Sequence, residues 1–207
     1  MADMILITKV NELSTMEKAS EHAKHLAEDM TKQPDIPILF GGSKITPEAT
    51  DPTTGKALSE HEATKLVAGK RVLVIDDGPT LTHGGMPYGA GYAMAKELGA
   101  SEIVDPRPYA QGSLKATFEK FPHLKEVLPA MGYDDDQVRD LEATIQATPC
   151  DPVVVGTPSD ITHLMDMGKS NVVVARYELE IVKNHEFRFR EVLDSLYDRY
   201  ECTHAAA

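Results

Sequence analysis

The apolar residues of this chain fall into two rhythms. Short continuous runs recur at residues 3–10 (DMILITKV), Pro37-Ile38-Leu39-Phe40, Val72-Leu73-Val74-Ile75, Glu102-Ile103-Val104, Pro152-Val153-Val154-Val155 and 171–177 (NVVVARY). A run without polar alternation marks a strand covered on both faces, as in a parallel sheet. Between these runs the spacing changes to three and four residues, the period of one helix face. A helix is predicted over 14–30: Ser14 with Glu17 makes a capping box, and Ala19, Ala23, Leu26, Ala27 and Met30 make an apolar stripe. His22 and His25 fall on it as surface histidines. Further helices are predicted over 60–67, 92–98, 112–121, 123–130, 137–147, 161–167 and 187–200. In the last of these Phe189, Val192, Leu193 and Leu196 are expected to face inward, and the tail 203–207 is expected to fray. Asp134-Asp135-Asp136 suits the start of the 137–147 helix, because acidic side chains favour the positive end of the helix dipole.

Strands alternating with helices predict an α/β fold: a mainly parallel, doubly wound sheet flanked by helices, Rossmann-like. The polar stretch 44–60, with Pro47, Pro52 and Gly55, is the best internal boundary. In such sheets ligands bind at the carboxyl ends of the strands. Here those ends are Thr8-Lys9, a loop at Gly41-Gly42-Ser43, Asp76-Asp77, Asp105 to Arg107, and Gly156-Thr157.

Composition narrows the partners. A formal charge of −12 and an isoelectric point near 5.1 argue against nucleic acid and anionic membranes. Cys150 and Cys202 match no metal spacing and read as thiols of a reducing compartment. No apolar run is long enough to span a membrane, and the start MADMILITKV has no signal-peptide layout. A cytoplasmic protein is expected.

The densest chemistry lies from Arg71 to Gly91 (RVLVIDDGPTLTHGGMPYGAG). A strand runs into Asp76 and Asp77, then a loop with Gly78, Gly84, Gly85, Gly89 and Gly91, then a helix closed by Gly99. Backbone N–H groups and a helix N-terminus make such a loop a candidate anion site. Thr80, Thr82, His83 and Tyr88 add side-chain donors. Two readings stand: a phosphate or carboxylate site, or a glycine-rich turn that packs strand against helix. His83 is a phosphate donor or proton carrier on the first reading and structural on the second. Adjacent strand residues point to opposite faces, so one of the two aspartates serves the loop; Asp77 is nearer and is the expected magnesium ligand. Arg107, held between Pro106 and Pro108, is the expected fixed cation, whereas Arg176 reads as a sheet-end ion-pair residue. Thr80, Thr82, Gly84, Gly85, Tyr88, Gly89 and Arg107 are the expected phosphate and substrate ligands, with His83 and Asp77 as catalytic groups. The chain contains no G-x-x-x-x-G-K-[ST], no dinucleotide G-x-G-x-x-G, no G-x-S-x-G, no HExxH and no CxxC.

Six stretches carry a resemblance: DGPTLTHGGMPYGAG from Asp77, EIVDPRPY from Glu102, TFEKFPH from Thr117, LPAMGY from Leu128, VGTP from Val155 and RYELE from Arg176. In this order they resemble the family of cyclic 2,3-diphosphoglycerate synthetase and its relatives described as GTPases. Family members are longer and carry a nucleotide-binding P-loop upstream. The resemblance implies that residues 1–68 are the tail of a P-loop-type subdomain and that 69–207 form a phosphoacid-binding α/β domain. Thr8-Lys9-Val10-Asn11 would be its base-reading element, with Thr8 in the place of an asparagine and Asn11 in that of an aspartate; Ser43 would lie on a second base-side loop.

The implied activity is a ligase: ATP-dependent closure of 2,3-diphosphoglycerate into its cyclic anhydride, with Mg2+. The implied partners are the small phosphorylated acid, a P-loop-bearing partner half and a second copy of the chain. The competing classes are a non-catalytic phosphometabolite- or nucleotide-binding module and a GTPase-like fragment lacking its P-loop.

Overall fold

The computed structural model describes residues 4–8, 37–83, 85–131, 134–157, 161, 167–168 and 171–204. Its strands are β1 (Ile5–Ile7), β2 (Ile38–Ala49), β3 (Arg71–Asp77), β4 (Glu102–Ile103), β5 (Leu128–Ala130), β6 (Val153–Gly156) and β7 (Val172–Ile181). Its helices are α1 (Glu60–Val67), α2 (Gly78–Thr82), α3 (Ala90–Glu97), α4 (Ser113–Lys120), α5 (Asp135–Ala147) and α6 (Glu186–His204), with 3-10 turns at Arg107–Tyr109 and Lys183–His185. The described chain forms two compact units, residues 45–176 and residues 1–44 with 177–207. β2 and β7 contribute to both.

In the larger unit β3 is the central strand. Val72, Leu73, Val74 and Ile75 have no exposed surface, as a continuous apolar run demands. β6 lies along one side of β3, with Leu73 opposite Val153 and Ile75 opposite Val155. β4 and β5 share the other side: β4 meets Arg71 and Val72, and β5 meets Ile75 to Asp77. β7 lies beyond β6, and all these pairings are parallel. The fold is therefore α/β with a mainly parallel sheet and helices packed beside it. The chain passes along one side of β3 and then crosses to the other. Between β3 and β6 two neighbouring strands continue in opposite directions, the place where α/β sheets open a crevice.

α1 follows its sequence signals residue for residue. Ser59 and Glu62 cap each other's backbone N–H groups, and Ala63 and Val67 are fully buried. α5 starts behind Asp134, whose carboxylate accepts from the N–H of Gln137. Arg176 pairs with Glu48 at 2.8 Å, the ion pair expected of it.

Three expectations change. The 123–130 stretch is not helical: Pro129 lacks an N–H, and Leu128–Ala130 pairs with Ile75–Asp77 as fully buried β5. The glycine-rich loop begins as helix α2, because Asp77 caps it and Pro79 occupies its first turn. Gly41-Gly42-Ser43 is not a loop but the middle of β2. A side chain at Gly41 would meet Leu179 at 2.5 Å, so glycine there permits close strand approach. The helix expected at 14–30 lies outside the described residues, as does most of that expected at 161–167; Ile161 and Met167 themselves are buried.

In the smaller unit β1 runs parallel to β2, Ile5 opposite Ile38 and Ile7 opposite Phe40. Phe40 meets the His185 ring edge-on at 5.3 Å, and its carbonyl accepts from Val182 N–H at 3.0 Å. No helix is long and apolar enough to cross a membrane among the described residues.

Candidate functional site

The carboxyl end of β3 divides its two carboxylates. Asp76 points inward and is fully buried, whereas Asp77 sits at the rim. Asp76 accepts three backbone N–H bonds: from Gly91 at 2.7 Å, from Gly89 at 2.8 Å and from Tyr92 at 3.3 Å. These are the orphan donors at the N-terminus of α3, which lacks a cap of its own. The anion expected at this helix end is therefore part of the protein.

Glycine makes that approach feasible. A Cβ at Gly91 would lie 2.8 Å from Asp76 Oδ1, one at Gly89 would lie 2.8 Å from Asp76 Cγ, and one at Gly156 would overlap both Asp76 and the Gly91 backbone. Burial pushes the Asp76 carboxyl above its ordinary value, and the three N–H bonds pull the other way.

Asp77 does local work. Its Oδ2 accepts from the N–H of Thr80 at 3.1 Å and from the Thr80 hydroxyl at 2.7 Å, which caps α2. At the other end of α2 the Thr82 hydroxyl donates to the Gly78 carbonyl at 2.8 Å and lies 3.2 Å from His83 Nδ1. With its proton given to Gly78, Thr82 can only accept from His83. In the neutral ring that arrangement suits a hydrogen on Nδ1 and an acceptor at Nε2. Asp77, Thr80, Thr82 and His83 are thus gathered on one short helix, and His83 is exposed.

The remaining expected residues are distributed less simply. Gly84 lies outside the described residues; Gly85 is exposed with φ 63°. Tyr88 is 45% exposed and stacks on Tyr92, ring centroids 4.9 Å apart. Tyr92 in turn donates to Glu126 at 3.2 Å and lies under Lys96 Nζ at 5.4 Å. The Gly89 amide is the one taken by Asp76.

Arg107 is held by Asp105 rather than by its prolines alone. Its Nη2 donates to Oδ2 at 2.6 Å, its Nε to Oδ1 at 2.9 Å, and its backbone N–H to Oδ1 at 3.0 Å. Burial works against ionisation of Asp105, and the Arg107 bonds outweigh it, so the carboxyl sits below its ordinary value. Of the base-side residues, Thr8 is exposed at the end of β1 and Ser43 is half-buried inside β2, both in the smaller unit; Lys9 and Asn11 lie outside the described residues. No group of His, Cys, Asp and Glu side chains has metal-holding geometry among the described residues.

Asp76 is the residue the sequence reading passed over. The signal was present in the alternation of a strand: beside Asp77, its neighbour had to face the core, where only clustered glycines leave room for a carboxylate.

The chain is similar to an arginine synthetase. ArcE of Thermococcus kodakarensis (strain ATCC BAA-918 / JCM 12380 / KOD1) is 48% identical to it over 151 residues. The match covers 73% of this chain and 33% of the relative, so the chain spans about a third of the length of the curated protein it matches. No protein-family model matches the chain, and no solved structure matches it.

Proposed function

We propose that this chain is the substrate-side part of an ATP-dependent synthetase that acts on a small polar molecule. The carrying observation is the 48% identity over 151 residues to a protein named arginine synthetase. Synthetases of this kind make a poor leaving group good by phosphorylating it, and their catalysis is mostly positioning and charge neutralisation. The α2 rim suits that role. His83 offers an exposed imidazole, and Asp77 keeps one carboxylate oxygen beyond its cap. Magnesium bound mainly through nucleotide phosphates needs no more than one or two protein carboxylates, so Asp77 fits as its single protein ligand. ATP supplies the phosphoryl group when bound. These 207 residues hold no P-loop, so none of them is assigned to the ATP phosphates.

Arginine, bound as the product the relative is named for, is the first ligand reading. Asp76 already fills the amides of Gly89, Gly91 and Tyr92, which removes the strongest place for a substrate phosphate. The half-exposed Tyr88 ring, stacked on Tyr92 beside Glu126, suits a planar guanidinium group instead. The second reading, cyclisation of 2,3-diphosphoglycerate, is favoured by the six matching stretches led by Asp77 to Gly91. In it Arg107 holds a phosphate, and the hydroxyls of Thr80 and Thr82 would have to turn from Asp77 and Gly78 to donate to another.

Calorimetry of the chain at low salt separates the two. Arginine binding that weakens in Tyr88→Ala is the expected result. Binding of 2,3-diphosphoglycerate that weakens in Arg107→Ala supports the second reading. Adding the part of ArcE that this chain does not match should then give substrate-dependent exchange of phosphate into ATP. Binding of neither compound, and no exchange, would reject a synthetase role.

A further inference from the structure

Helix α2 has five residues, with Asp77 flanking one end and His83 the other. A helix so short is marginal by itself, because its few hydrogen bonds scarcely offset the ordering of its backbone. Its ends have to be held from outside. The first end is held by its neighbours. Asp77 caps it, and Gly78 lies so close to β5 that a Cβ there would overlap the Ala130 carbonyl. At the last end the local bonds stay within the same turn: Thr82 donates back to Gly78, and the His83 N–H donates to the Pro79 carbonyl at 2.9 Å.

A support for that last end comes from 42 residues away in sequence: His123 Nε2 lies 3.0 Å from the Leu81 carbonyl. A carbonyl can only accept, so the ring nitrogen is the donor and its hydrogen sits on Nε2. Leu81 is fully buried, so without this donor a buried acceptor loses its partner and water cannot replace it. His123 is itself firmly placed. It occupies the turn that ends α4, where the Leu124 N–H donates to the Phe121 carbonyl at 3.0 Å. Leu124 is fully buried, and the Phe121 ring meets the imidazole edge-on at 6.1 Å. The ring of His83, in turn, lies against Thr82, which belongs to α2. The direction of His83 therefore follows the end of α2, and that end is tied to His123.

We propose that His123 is a positioning residue of the α2 rim: its Nε2–H pins the carboxyl-terminal end of α2 and so sets the imidazole of His83. This role rests on the rim being the reacting edge of the proposed synthetase.

Two variants separate the hydrogen bond from packing. His123→Phe keeps a ring against Phe121 and removes the donor. His123→Gln puts an amide donor where Nε2 stood. Nuclear magnetic resonance of the full chain reads the positioning directly. In His123→Phe, hydrogen exchange at the His83 amide should quicken at least about fivefold, the low end for a buried acceptor left unpaired. The amides of fully buried Val153 and Val154 should keep their protection. The His83 ring nitrogens should shift toward the tautomer mixture of free imidazole, and His123→Gln should restore most of both signals. The second readout is phosphate exchange into ATP with the unmatched part of ArcE. His123→Phe should slow it at saturating ligand and leave the calorimetric affinities for arginine and 2,3-diphosphoglycerate unchanged. Unaltered His83 signals in His123→Phe overturn the proposal, and so does a His123→Gln that behaves as His123→Phe. Loss of protection in β6 as well makes His123 a support of the core and overturns it too. Altered His83 signals with an unaltered exchange rate overturn its link to the reaction. If the unsubstituted chain shows no phosphate exchange, the synthetase reading fails instead, and the His83 signals still decide whether His123 sets them.

Discussion

The two compact units bury apolar surface very differently. In residues 45–176, β3 alone places Val72, Leu73, Val74 and Ile75 out of reach of solvent, and β6 adds Val153 and Val154. In the other unit, the described buried apolar side chains are Leu39 at 2% and Phe40 at 7% exposure. The larger unit closes a core around its central strand. Among the described residues of the smaller one, the apolar side chains of β1, of the end of β7 and of α6 are half-buried or exposed. Tyr177 and Leu179 on β7 are 46% and 49% exposed, and Phe187 is 75% exposed. Apolar side chains stabilise the larger unit where elements from several parts of the chain converge on β3.

The largest effect should come from carrying one change into both units. Leu73→Ala removes a fully buried side chain from β3 and should cost about 2–5 kcal/mol in urea unfolding. Leu193→Ala on α6 should change the unfolding of the dilute chain by less than about 0.5 kcal/mol, as exposed substitutions do. Equal costs would erase the distinction between the units.

Asp76 gives the next test, because it joins the buried core to the candidate site. Asp76→Asn sets an amide NH2 against a backbone N–H donor and should cost about 1–3 kcal/mol. Burial makes folded Asp76 hold its proton to a higher pH than it does in the unfolded chain. That contribution is complete below the ordinary carboxyl value of 3.8 and is lost as pH rises through the raised value. The difference in unfolding free energy between wild type and Asp76→Asn should therefore narrow with rising pH. Carboxylates shared by both proteins, such as Asp105 and Asp140, cancel from it. A difference that widens with pH would mean that the three N–H bonds outweigh burial.

How much of this could be read from the sequence depended on the range of the forces involved. β3, α1 and the Asp134 cap were legible because each follows from residues within a few positions: an apolar run, a short helical stretch ahead of Gly69, an acidic helix start. β5 was not, because Leu128–Ala130 becomes a strand only through pairing with β3, more than a whole helix away in sequence. The middle of β2 was hidden for the same reason, since Gly41 is explained by Leu179. At the candidate site, the placing of Asp77 and His83 at the two ends of α2 follows from residues close in sequence. The role of Asp76 does not, because it depends on where Gly89, Gly91 and Gly156 converge.

Arg107 should give only a small stability change and yet distinguish the two ligand readings. Its ion pair with Asp105 leaves the side chains 41% and 37% exposed, and pairs so exposed contribute at most about 1 kcal/mol. Arg107→Ala should therefore leave the unfolding midpoint nearly unchanged, placing the residue outside the framework that Leu73 and Asp76 maintain. Its effect on ligands is a separate matter. If Arg107 anchors a phosphorylated acid, its loss should weaken 2,3-diphosphoglycerate by more than about 1.5 kcal/mol, the lower range for a charged hydrogen-bond partner. If the ligand is a guanidinium compound, removing a like charge should leave its affinity unchanged or slightly improved. Calorimetry with both compounds on one variant decides between them. A large loss of stability would instead make Arg107 part of the packing and withdraw it from the site.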